Sequence, residues 1–239
     1  MPRIDFVKPG VCLLPPLRGN QGLVQISDVA ALPFRLGSAV RHRRLFHPGG
    51  VLANGHLERL APPGEGLPME SGEVIGRVSK AIGLPGAVPD IAGLAWRMRP
   101  GGPQPWDVLL ASTVGNRLLL APVTTWTGTV LSSLMPFGHE DGLWWVRARL
   151  TTEVDVTGLP LDAIRSHLRS TGVEFLIEQA AGTGDFLPLA RLTLNSPHTA
   201  DIAFDPVLNT DSAVRPLPQW LTDFRRAAYR RSREGRDAE

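Results

Sequence analysis

Eight segments of this chain carry strand-like residue patterns between glycines and prolines, and this run constrains the fold more than any other feature. VLANGHLERL, GEVIGRVSKAI, IAGLAWRM and WDVLLAST come first. GLWWVRARLTTEV, VEFLIEQAA, LPLARLTLN and TADIAFDP follow. Apolar residues alternate with polar ones in most of them, as half-buried strands require. LDAIRSHLRS (161–170) reads as a helix between Pro160 and Gly172. PQWLTDFRRAAYRRSRE, within a C-terminal element spanning 218–236, reads as another, with Trp220, Leu221, Phe224 and Ala228 on one face. TTWTGTVLSSLM (124–135) is read as helical in spite of its threonines. SDVAALPFRLGSAV (27–40) reads as a short interrupted helix, and residues 1–25 as a Pro/Gly-rich arm. Many strands followed by a terminal helix predict a mainly β, α+β fold. The expected architecture is a closed antiparallel barrel with peripheral helices, one domain over 1–239.

Composition excludes several classes. Hydrophobic residues make up 43% and charged residues 20% of the 239, which is ordinary for a globular protein and unlike a disordered one. No segment approaches the ~20 apolar residues of a membrane-spanning helix, and the N-terminal residues lack a signal-peptide core. The single cysteine, Cys12, allows no intramolecular disulfide framework and fits a reducing compartment, so the expectation is a cytoplasmic protein. The net charge is only +2, but Lys8 and Lys80 are the only lysines. GC-rich codon usage explains that arginine bias, and so does recognition of anions by guanidinium forks. No H-E-x-x-H, paired C-x-x-C or G-x-x-x-x-G-K-[ST] occurs. His42, His56, His139, His167 and His198 have no partners at ligand spacing.

Two positions carry candidate chemistry. Tyr229 is the only tyrosine, and Arg225 lies four residues before it on the same helix face. A nearby cation lowers a phenol's pKa, and coordination to ferric iron lowers it further, so this pair suits a phenolate ligand. The helix alone is as well read as a surface helix with a half-buried tyrosine among solvated arginines. His47 precedes a Gly-rich turn and a strand, where an imidazole serves as acid or base at a cavity mouth or simply occupies the turn. Arg77 begins an alternating stretch that would point it into a barrel.

Together these segments resemble the catalase family, in particular its small single-domain haem relatives. Arg44-Leu-Phe-His47 followed by PGGVLANGHLE resembles the distal motif, with Gly50, Ala53, Gly55 and Glu58 in register. Arg77, Ser79, Asp90, Gly93 and Ala95 match the next block, and Trp106, Asp107 and Thr113 the block after it. Arg225-x-x-x-Tyr229, with Arg236 seven residues on, resembles the proximal motif; FDP at 204–206 and PLP at 216–218 recur in the small relatives. The likeness covers 41–113 densely and 204–236 through a few positions. It does not extend over 125–200.

The resemblance implies an eight-stranded antiparallel β-barrel with haem b, and hence iron, against one side. Tyr229 would be the proximal ligand kept ionised by Arg225, and Arg44, Arg77 and Arg236 would pair with the propionates. His47 would move a proton between the two oxygens of a peroxide. The chain departs from the pattern at the distal asparagine, which is Ala111, and at the Phe-Phe pair, which is Asn116-Arg117. Gly49 stands for the family's lysine, after Pro48. These changes imply a more open, polar pocket, with Ser112 and Thr113 as the nearest replacement donors. The expected activity is a haem peroxidase or hydroperoxide-processing enzyme with weak or no catalase activity. It would act on hydrogen peroxide or an organic hydroperoxide with a small organic reductant. The alternative is a non-catalytic haem-binding or degenerate barrel. No membrane span or nucleic-acid partner is expected, although the tail RRAAYRRSREGR raises the latter question. A homodimer is compatible with the sequence.

Overall fold

The structure, a computed structural model, describes residues 49–84, 88–99, 101–115, 117 and 119–216. The arm over 1–25, the helix over 27–40 and the C-terminal helix over 218–236 lie outside them. The strands are β1 (Gly49–Arg59), β2 (Gly72–Lys80), β3 (Ala92–Met98), β4 (Trp106–Val114), β5 (Leu119–Leu120) and β6 (Val130–Ser132). After them come β7 (Phe137–His139), β8 (Gly142–Leu150), helix α1 (Leu161–Leu168), β9 (Val173–Ala181), β10 (Leu187–Pro197) and β11 (Val214–Pro216). Eight of them close into an antiparallel barrel in the order β8-β6-β4-β3-β2-β1-β10-β9, and β9 returns to β8. β5, β7 and β11 extend it at β4 and β8.

Alternation decides which face is buried. Val51, Val78, Leu94 and Leu110 are opposite one another across β1–β4, and so are Ala53, Gly76, Trp96 and Val108. Both rows belong to the core apart from Gly76, whose missing side chain leaves space for a neighbour: a Cβ there would lie 2.5 Å from Leu194 Cδ2. Small residues beside the fully buried Trp96 let the layer close without a void. The Arg59 guanidinium organises the loop after β1. It donates to the carbonyls of Ala61, Pro62, Glu65, Leu67 and Met69 at 2.7–3.0 Å. That holds the Leu67 and Met69 side chains in the core.

Two elements differ from the sequence expectation. Residues 124–135 are not helical: a turn leads into β6. The threonine hydroxyls take backbone partners of their own, Thr129 on the Thr125 carbonyl at 2.6 Å and Thr127 on the Val154 carbonyl at 3.1 Å, in competition with helical pairing. TADIAFDP, expected as a strand, pairs with none; β6 takes the eighth place instead. The segment is held by side chains. Asp107, fully buried on β4, accepts the Arg97 fork at 2.7 Å twice, the Asp205 N–H at 2.7 Å and the Asn209 amide at 2.8 Å. Helix α1 ends two residues before the expected 170, with Gly172 at φ +83 donating its N–H to the His167 carbonyl at 2.7 Å. No helix among the described residues is long and apolar enough to cross a membrane.

Candidate functional site

The outer face of β1–β4 carries the residues that the sequence motifs singled out. Leu52, Arg77, Ala95 and Leu109 form one cross-strand row. One pleat further, Gly50, Ser79, Gly93, Ala111 and Ser132 form a second that reaches β6. No side chain in this second row is larger than a hydroxymethyl. At ~4.8 Å between strands, the row is a low strip roughly 19 Å long. A flat group laid on it would meet backbone, methyl and hydroxymethyl groups, with the Arg77 side chain crossing the Gly50 end.

Arg77 belongs to this outer face. The expectation that it points into the barrel is corrected by the alternation of β2, where Val74 and Val78 are the core residues. Its guanidinium lies across Gly50: a Cβ on that glycine would overlap Arg77 Nε. Only a glycine lets β1 pass beneath the arginine. Burial pulls the Arg77 pKa down from its ordinary value, and the field of Asp201 opposes that pull. A cation is thereby kept partly desolvated beside the strip, where an anionic group would find it strengthened.

The two hydroxyls after Ala111 separate. Ser112 has inward parity; its Oγ accepts the Ala92 N–H at 3.1 Å and donates to the Ala121 carbonyl at 2.6 Å. It pins the return from β4 to β5. Thr113 shares the outer parity of Ala111, is 8% exposed, and its Oγ1 has no hydrogen-bond partner among the described residues. A buried hydroxyl left in this state costs about 1–3 kcal/mol, so Thr113 holds an unused donor next to the strip.

Arg117 does not line an open pocket as the sequence implied. Its guanidinium donates to the Gly182 carbonyl at 2.7 Å and to the Gly184 carbonyl, and stacks 5.0 Å from the Phe186 ring centre. The turn between β9 and β10 therefore takes up its polarity. Sequence reasoning also passed over His198. Its backbone N–H donates to the Leu52 carbonyl at 3.0 Å, its Nδ1 is 2.7 Å from Asn54 Oδ1, and its Nε2 is buried without a partner among the described residues. It stands at the Leu52 edge of the site, a proximity created by the pairing of β1 with β10 and invisible in local pattern. His47, Arg44, Asn116, Arg225, Tyr229 and Arg236 lie outside the described residues. Among the described residues, no group of His, Cys, Asp or Glu has metal-binding geometry.

No protein-family model matches the chain, and no curated protein matches it. Solved structures do. Catalase A from Saccharomyces cerevisiae superposes with a TM-score of 0.56 at 11% identity, over 89% of this chain and 64% of that one. A bacterial catalase gives 0.54 at 13% identity over 91% and 65%, and a fungal catalase 0.55 at 11% over 89% and 62%. The barrel has the catalase fold. The chain spans a little under two thirds of the length of these catalases, and at such identity the likeness concerns the fold alone. Within a catalase-fold barrel, the strip on β1–β4, the arginine laid over Gly50 and the unsatisfied Thr113 hydroxyl fit a planar ligand with anionic substituents.

Proposed function

We propose that the chain is a haem b-dependent peroxidase or hydroperoxide-processing enzyme with weak or no catalase activity. One observation carries this reading: a strip of glycine, alanine and serine on the outer face of a catalase-fold barrel, with Arg77 at its edge and Ala111 within it. Haem b, when bound, supplies the iron chemistry that cleaves a peroxide bond. Tyr229 would hold it as a phenolate, with Arg225 one turn earlier favouring the ionised oxygen. Arg77, together with Arg44 and Arg236, would pair with its propionates through charge-assisted bonds. His47 would accept a proton from one peroxide oxygen and return it to the other. The Ala111 methyl cannot hydrogen-bond, so a second peroxide molecule is poorly held. This disfavours rapid dismutation and favours a hydroperoxide with a small organic reductant. Thr113 supplies the nearest uncommitted hydroxyl, whereas Ser112 is already saturated by backbone. Ala111 also favours a second reading, a haem-binding protein without turnover.

Absorption spectroscopy and donor oxidation separate the readings. The haem-loaded protein is expected to show a Soret band that Tyr229→Phe weakens or shifts. His47→Ala keeps the band and loses peroxide-dependent turnover by at least about 100-fold. A Tyr229→Phe protein with an unchanged spectrum overturns the ligand assignment. A Soret band without turnover in the unmodified protein selects the non-catalytic reading.

A further inference from the structure

We infer that Trp96, Trp106 and Trp144 form a relay that carries oxidising equivalents from the strip through the barrel core to a one-electron donor at Trp144. The inference rests on the reading of the strip as a haem b site. Trp96 follows Ala95 on β3 and, by alternation, faces the core beneath the row of Leu52, Arg77, Ala95 and Leu109. Trp106 lies diagonally across from it. Trp96 pairs with Val108 and Met98 with Trp106, so both indoles and the Met98 thioether share the core face. Such diagonal neighbours are ~7–8 Å apart, within reach of aromatic rings. Trp106 meets the Phe137 ring edge-on, with centroids 6.2 Å apart. Phe137 stands directly opposite Trp144 across β7 and β8, and Trp144 is half-buried against the core, so part of it reaches solvent. An unbroken run of aromatic rings leads from beneath the strip to the surface.

Packing alone does not account for indoles at these positions. The N–H groups of Trp96 and Trp106 are buried and have no acceptor among the described residues. Each costs about 1–3 kcal/mol in that state, a cost that phenylalanine or leucine would fill the core without. Trp126, also buried, shows the ordinary solution: its N–H donates to the Pro160 carbonyl at 3.3 Å. An indole is oxidisable where phenylalanine and leucine are not. With no acceptor beside it, an oxidised Trp96 or Trp106 keeps its N–H proton, so only an electron moves along the relay. Tunnelling weakens exponentially with distance, and short steps between rings therefore outrun one long one. The oxidant is a hydroperoxide reduced at the strip: its O–O bond takes two electrons and two protons to give an alcohol and water. Each electron leaves Trp96, which is refilled from Trp106 and then from Trp144. A phenol or arylamine at Trp144 supplies that electron and releases its proton to solvent, so two donor molecules are oxidised to radicals per hydroperoxide.

Spin trapping followed by peptide mass spectrometry tests the relay. Haem-loaded protein is treated with cumene hydroperoxide and the trap tert-nitrosobutane, with haem-free protein as the control. The adduct is expected on Trp144. Trp106→Phe, which keeps a ring but removes the indole, brings that adduct down to the haem-free level and leaves the Soret band in place. Trp144→Phe changes a half-buried position and so keeps the fold. It is expected to abolish peroxide-dependent oxidation of ferrocytochrome c, a donor too large to enter the strip, while guaiacol oxidation persists. A Trp144 adduct undiminished by Trp106→Phe overturns the relay, as does ferrocytochrome c oxidation indifferent to Trp144→Phe. An adduct on Trp145 in its place, on the outer face of β8, overturns it too, because oxidation then leaves over the outside of the barrel. A Soret band with no tryptophan adduct overturns the relay alone, whereas no Soret band overturns the haem reading with it.

Discussion

The Ser112 hydroxyl accepts one backbone N–H and donates to one carbonyl, whereas the Thr113 hydroxyl, next in the chain, has no hydrogen-bond partner among the described residues. They predict opposite responses to deletion. Ser112→Ala strands the Ala92 N–H and the Ala121 carbonyl, and is expected to cost about 1–3 kcal/mol in urea denaturation. Thr113→Val keeps the shape and removes an unsatisfied group, so stability is expected to stay level or rise. A loss above about 1 kcal/mol on Thr113→Val means that the hydroxyl has a partner in the folded protein. The sequence offered both residues as replacement donors because spacing alone does not say which of two neighbours faces a site. Strand parity, once the core face is known, separates them. Arg77 teaches the same lesson: alternation marked it as one of a two-faced set, and only the core membership of Val74 and Val78 placed it outside.

At the scale of elements, strands with clear alternation and turn residues at both ends were legible. β1–β4, β8, β9 and β10 fall where the pattern places them. The two failures have different causes. Residues 199–206 look like a strand, but the Ala203 carbonyl and the Asp205 N–H are taken up by the side chains of Arg97 and Asp107, about a hundred positions away. β6 is only three residues long, too short for periodicity to register. The buried carboxylate of Asp107 is central to the first case. Asp107→Ala leaves Arg97 and the 201–211 segment without their partner, and is expected to lower stability by about 3–5 kcal/mol. Replacing both Arg97 and Asp107 with apolar residues of similar size should cost less than the single change. Chemical denaturation of the three proteins checks the order, and an Asp107→Ala protein as stable as the parent refutes the role.

For the whole molecule, barrel closure depends on matched girth as much as on hydrogen bonds. The β8–β9 seam is closed by paired backbone and by Glu178, which is nearly buried and accepts from Arg147 at 2.8 Å and from Arg149 at 2.9 and 3.0 Å. Inside, Gly76 leaves the space that Leu194 fills. Gly76→Ala is expected to lower stability by about 1–3 kcal/mol through overpacking, seen as a lower melting temperature. An unchanged melting temperature would mean that Leu194 moves freely and that the layer is not tightly packed. What the sequence determined by itself was the local part. Period-two alternation and Gly/Pro punctuation specify strands, and their number suggests a closed barrel, because each strand's pattern is written in its own residues. The tertiary structure decided the rest: which short segment completes the ring, which face of β2 carries Arg77, which hydroxyl is spent, and that His198 stands beside Leu52. Those outcomes come from pairings between residues far apart in the chain, and closure alone chooses the faces and neighbours.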